Sequence, residues 1–188
     1  PTSPDSLVGD GGNPADWPAA QAKPPSLAGA YSTNMMKVIV TLVTYQDWAY
    51  SHPNPVLVNN YMIAGGNAYE GDRRTLTDLA QEGLRADASP TEIDWIGVTV
   101  LPKPLRLVNG KLARVNGRRA FTPASVTLVI KQKIGALLNK EGKVVGHSSV
   151  TPGKVAFSET LVQGLDGRWR IVDINKLYLA GGFGSLKR

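Results

Sequence analysis

The chain has no cysteine, so a disulfide, a thiol nucleophile and a thiolate-bound metal are all excluded. It has two histidines, His52 and His147, and its carboxylates are scattered, which leaves no ligand spacing for a metal centre. No stretch approaches the roughly 20 apolar residues that cross a bilayer. The nearest, residues 35–43, is short and holds Lys37 and Thr41. Gly65-Gly66 is not followed by the Lys-Ser/Thr of a phosphate loop. The most local absence is of negative charge: between Asp94 and Glu141 there are nine Lys and Arg and no Asp or Glu. Aromatics are scarce in the same run, with Trp95 and Phe121 alone, and nucleic-acid binding is disfavoured for want of stacking residues.

What is present is unevenly placed. Residues 1–90 carry five basic and nine acidic side chains, and residues 91–188 carry sixteen and six. The net charge of +6 therefore arises in the second half. A one-sided basic surface points to an acidic protein partner or an anionic envelope surface. A length of 188 residues allows one domain with a tail. Residues 1–31, rich in Pro, Gly, Ala and Ser, read as a flexible arm or linker, with Trp17 as a residue that could dock. Residues 32–179 read as the domain and 180–188 as a tail. The chain opens on Pro1 rather than Met, so a leader or anchor is expected to have been removed.

The pattern before Pro90 is helical. Ser32-Thr33-Asn34 predicts a cap, and Met35, Met36, Ile39, Val40, Leu42, Val43 and Tyr50 follow at three-to-four spacing. Asn54-Pro55 predicts a short second helix, and a third is expected to start near Asp72 and to close at Ser89-Pro90. After Pro90 the pattern is one of strands and tight turns. Glu92 to Leu101 alternates, with Ile93, Trp95, Gly97 and Thr99 on one face and Asp94, Ile96, Val98 and Val100 on the other. Asn109-Gly110, Asn116-Gly117 and Asp166-Gly167 predict hairpins, and connections this short predict an antiparallel sheet. The fold class is therefore α+β.

Helices followed by a run of antiparallel strands, closing on Asp166-Gly-Arg-Trp-Arg-Ile-Val-Asp-Ile174, resemble the nuclear transport factor two-like (cystatin-like) superfamily. The resemblance covers residues 33–178, with the Trp48-bearing first helix and the Gly-rich exit of the second also alike. It extends to secreted or lipid-anchored domains of actinobacterial type and to extracytoplasmic assembly subunits of type IV secretion and conjugation machines. What it implies is N-terminal helices packed in the concave face of a strongly bent antiparallel sheet, forming a cone. It also implies an envelope-associated, extracytoplasmic location and dimerisation through the sheet face as one option. Within that cone Trp48, Tyr61, Trp95 and Trp169 are candidate cavity-lining residues.

Two functions from different classes follow. The first is a non-enzymatic interaction or assembly module, possible in a Gram-positive secretion or conjugation system, binding through Arg106, Lys111, Arg114, Arg118, Arg119, Lys131 and Lys133. On the 125–134 strand, Lys131 and Lys133 alternate with the apolar side and are expected to point outward. The second is a small-molecule isomerase, cyclase or dehydratase using the cavity, with Asp47, His147 and Asp173 as candidates for proton transfer. Asp173 is expected to neighbour Arg168 or Arg170. A cavity lined by tryptophans could instead hold an apolar ligand. No cofactor is expected. An open cavity with titratable groups favours the second reading, and a plugged one with a basic or apolar outer patch favours the first.

Overall fold

A computed structural model of the chain describes residues 23–87 and 89–177. Most of the expected arm, including Trp17, and the expected tail lie outside the described residues. The part of the arm that is described packs onto the domain: Ala28–Tyr31 forms a single 3-10 turn with Gly29 and Ala30 buried.

Helix α1 (Met35–Ser51) begins at Asn34, whose side-chain oxygen accepts from the Met36 and Lys37 amides at 3.1 and 3.3 Å. These donors would otherwise be orphans of the first turn. Met35, Val38, Ile39, Leu42, Val43, Tyr45 and Ala49 are its buried stripe. The expected short second helix is a 3-10 segment, Pro55–Asn60, capped by Asn54. Helix α2 (Tyr69–Glu82) starts three residues before the expected Asp72 and ends at Gly83, where a positive φ stops it well short of Ser89-Pro90. Asp72 is thus not a cap. It sits in the first turn, where the helix dipole favours an acid.

Nine strands follow among the described residues: β1 (Arg85–Ala86), β2 (Glu92–Val100), β3 (Arg114–Val115), β4 (Arg118–Arg119), β5 (Ala124–Gln132), β6 (Ala136–Leu138), β7 (Val144–His147), β8 (Gly153–Gln163) and β9 (Trp169–Leu177). They form three separate sheets, β2-β5-β8-β9, β1-β6-β7 and the two-stranded β3-β4, rather than the one strongly bent sheet that the expected cone requires. Every named pair is antiparallel, so the α+β class with antiparallel sheets holds. The β6–β7 pair prolongs the β5–β8 hairpin across a break, which Ser148 bridges by donating its amide to the Gly135 carbonyl and accepting the Gly135 amide on its hydroxyl.

The apolar stripe of α1 lies on the inner face of the four-stranded sheet, against Ala124, Val126 and Leu128 of β5, Leu161 of β8, and Trp169 and Ile171 of β9. Simple alternation fails on β2. Register shifts fall between Ile93 and Trp95 and between Val98 and Val100. Ile93 consequently joins Ile96 and Val98 against the core, while Trp95 and Val100 are half exposed. An extra residue in a strand flips the phase of everything beyond it.

The free edge of β9 is covered by the segment after the 3-10 turn. Ile171 donates to the Tyr61 carbonyl and accepts from the Ile63 amide, both at 2.9 Å. Gly66 then passes so close that a Cβ there would overlap the Val172 carbonyl oxygen. Asn67 finishes the latch, accepting the Ile174 amide at 2.8 Å and donating to its carbonyl at 3.1 Å.

Candidate functional site

Two features of the fold offer chemistry. The first is a cavity of about 390 Å³ between α1 and the inner face of the sheet. Val43, Leu128, Ile130, Phe157 and Ile174 make its apolar wall, and Gln46, Asp47, Tyr50, Thr91, Gln132 and Glu159 its polar groups. Glu159 is the anomaly. On β8 it shares a phase with Phe157 and Leu161, so the strand turns a carboxyl inward at a site where it is 4 % exposed. Its Oε2 has no hydrogen-bond partner. Burial alone pushes its pKa up to about 7, because low dielectric disfavours the charged form.

Gln46, Asp47, Tyr50 and Thr91 are held. Asp47 accepts the Thr91 amide at 2.7 Å and the Thr91 hydroxyl at 2.6 Å, which ties α1 to the start of β2. Burial raises its pKa and the two Thr91 bonds oppose the rise. Behind the lining, Asp72 of α2 accepts from Gln46 Nε2 at 2.9 Å and from the Tyr50 and Tyr61 hydroxyls at 3.0 Å each. Burial raises the Asp72 pKa against these three bonds. Burial and then the Asp72 charge push the Tyr50 phenol well above its ordinary range. Gln46 and Tyr50 are therefore oriented by a carboxylate that does not itself line the cavity.

A second cavity of about 390 Å³ shares Asp47, Tyr50, Thr91, Ile130 and Gln132 with the first. Its lining includes Glu92, Lys131 and Lys133. Lys131 and Lys133 both bind the Glu92 carboxylate, Lys133 at 2.7 Å. Their hydrogen bonds hold the Glu92 pKa down at about 2. Both lysines are exposed, as their strand phase predicts, but each is paired with Glu92 in a rim ion cluster.

The other candidates lie elsewhere. His147 is exposed on β7, and neither cavity is lined by it. Asp173 accepts the Asn67 amide at 3.2 Å, while Arg168 and Arg170 pair with Asp166 instead. Of the candidate lining aromatics none borders the two cavities. Trp169 is fully buried and 6.3 Å from Phe121 between ring centroids, and Trp48 stacks on buried His52 at 4.3 Å. Tyr61 is buried against Asp72, and Trp95 lies over Gly97. Burial lowers the His52 pKa and its Nδ1 meets the Trp48 carbonyl oxygen at 3.0 Å, so it is a neutral core residue. Among the described residues no three His, Asp or Glu gather as a metal site, and no helix is long and apolar enough to cross a membrane. Sequence reasoning missed Glu159, Asp72, Gln46, Thr91 and Gln132. A signal existed for the first, since a Glu in the apolar phase of a strand is readable.

The second feature is the connection from β2 to β5, residues 101–123, which forms a tongue. Its backbone pairs Pro104 with Phe121 and Arg106 with Leu112. Leu107 and Lys111 close its tip, with Gly110 in a left-handed conformation. This is a three-residue loop, not the two-residue turn that Asn109-Gly110 predicts. At Asn116-Gly117 both residues have positive φ, as the expected type I′ turn requires. The tongue carries Lys103, Arg106, Lys111, Arg114, Arg118 and Arg119 and no acidic residue. Arg106 donates to the Gly110 carbonyl, Arg114 to that of Gly117, and the Arg118 guanidinium lies 4.4 Å over the Tyr31 ring.

Comparison with protein-family models, curated proteins and solved structures gives no match. The functional reading therefore rests on these two features.

Proposed function

We propose that the chain is an extracytoplasmic, envelope-associated interaction module of the nuclear transport factor two-like type. It carries out no chemistry and serves in a secretion or conjugation assembly. The packing of α1 on the inner face of a sheet, with a cavity between them, is what such a cone would contain. The observation that carries the reading is the tongue. Six basic side chains project there with no acidic residue among them, beside Leu101, Leu105, Leu107 and Val108, all exposed. A cationic and aliphatic projection of this kind is suited to an anionic partner. Catalysis has weaker support. A proton-transfer site needs an acid and a base within reach of one substrate, and both Asp47 oxygens are already occupied by Thr91. The test is K111E/R114E/R119E, which spares Arg118 and its Tyr31 contact. The triple variant should melt like the parent and lose retention on isolated cell envelopes. Undiminished retention overturns the reading.

One observation favours a second reading. The unpartnered Glu159 carboxyl faces a mostly apolar cavity. That arrangement suits a small molecule with an apolar body and one donor or cationic group. Arylalkylamines should raise the melting temperature of the parent and not of E159Q; equal shifts in both exclude Glu159 as the recognising group.

A further inference from the structure

We propose that the tongue is a membrane-docking element whose tip, Leu107 and Val108, enters the headgroup region of an anionic lipid bilayer. Lys103, Arg106, Lys111, Arg114 and Arg119 would lie at the level of the lipid phosphates. The inference rests on the module reading and names its partner.

Four aliphatic side chains gather within residues 101–108. Leu101 is 68 % exposed, Leu107 is 53 % exposed and Val108 is wholly in solvent. Single exposed leucines are ordinary on a protein surface. Here they accompany a chain reversal held by backbone bonds, with Leu107 donating to Lys111 at 2.7 Å and Gly110 to Leu107 at 2.8 Å. A stiff hairpin tip loses little entropy when it enters a second phase.

The cations complete the arrangement. None of the six forms an ion pair among the described residues. The Arg106 and Arg114 bonds to nearby carbonyls, at 3.0 and 2.7 Å, are to neutral groups and leave both charges uncompensated. Each basic side chain close to an anionic membrane strengthens binding about five-fold, and the attraction dies away within a Debye length.

The shape separates lipid from other anionic partners. Protein interfaces are anchored by aromatic residues and Arg seated in pockets. The tongue's Arg side chains would serve either partner, but it exposes no aromatic anchor: its one aromatic, Phe121, packs inward against Trp169. A bilayer needs no complementary pocket. It accepts aliphatic tips and rewards a surrounding belt of positive charge.

The full chain is sedimented with protein-free vesicles of phosphatidylcholine alone, and of phosphatidylcholine with about one-third phosphatidylglycerol. Binding is expected to the mixed vesicles alone and to weaken steeply with salt. K111E/R114E/R119E, which removes three attractions and adds three repulsions, should bind at least about 100-fold more weakly. L107S/V108S should lose about ten-fold or more while retaining its fold by circular dichroism. V108W should show a blue-shifted emission on mixed vesicles only, reporting entry of the tip. Absence of binding to mixed vesicles overturns the lipid assignment. If the triple variant still loses retention on isolated envelopes in that case, the module reading stands with an acidic protein as partner; if it does not, both fall. Binding with no blue shift and no loss in L107S/V108S overturns tip insertion in favour of adsorption by charge.

Discussion

Glu159 couples the stability of the domain to proton concentration. Its carboxyl titrates near 4.5 in an unfolded chain and at about 7 in the folded one. Between those values the folded protein holds a proton that the unfolded chain has released, so the slope of stability with pH is negative there. The stability present below about pH 4.5 is lost progressively as the pH rises to about 7, by about 3 kcal/mol at most. E159Q removes the titration and should flatten this part of the profile. Denaturant unfolding at about pH 5 and about pH 8 measures it. An unchanged slope in the variant would place the titrating group elsewhere. Glu92 behaves in the opposite sense. Its two lysines hold it at about 2, so what it contributes is present at neutral pH and lost in acid. The group is exposed and the contribution is screened by salt.

At the scale of elements, the domain is fastened at a few joints. Asn34 caps α1, and N34A should cost about 1 kcal/mol in denaturant unfolding. Asp72 joins α2 to α1 and to the segment that covers β9. D72A leaves three donors without an acceptor, one of them on fully buried Tyr61, and should cost about 2 kcal/mol or more, whereas D72N keeps a carbonyl and should cost less. A reversed order would show that the three bonds are not what the carboxylate supplies. The elements themselves were largely legible. The α1 cap, the Asn54-Pro55 start and the Asn116-Gly117 turn depend on local chemistry, which any window of sequence displays. Two kinds of information were not. The β2 bulges are decided by pairing with β5, so the alternation put Ile93 and Trp95 on one face, whereas Ile93 packs against the core and Trp95 is half exposed. The role of Asp72 depends on Gln46, Tyr50 and Tyr61 arriving from other elements, so a residue that marks only a helix start in the sequence became a half-buried acceptor of three hydrogen bonds. For the same reason Lys131 and Lys133, outward by strand phase, could not be seen to hold Glu92.

For the whole molecule, the order β2-β5-β8-β9 leaves its two edges differently protected. The β9 edge is closed by Met62 and its neighbours. The β2 edge has no such cover among the described residues. It carries Glu92 and Asp94, two register shifts, and ion pairs to Lys131, Lys133 and Lys154. Charge and irregularity on an edge strand hinder pairing with another chain. E92V/D94V should therefore self-associate as concentration rises, to a greater extent than the parent, in light scattering. Equal behaviour of the two would show that the bulges suffice.

The carboxylate of α2 has a consequence for how such a molecule can diverge. Gln46, Tyr50 and Tyr61 all spend a donor on Asp72, and no one of the four can drift alone without stranding the rest. In descendants of this chain they should be inherited as a set or replaced together by apolar residues, and a sequence with a mixed set should be rare.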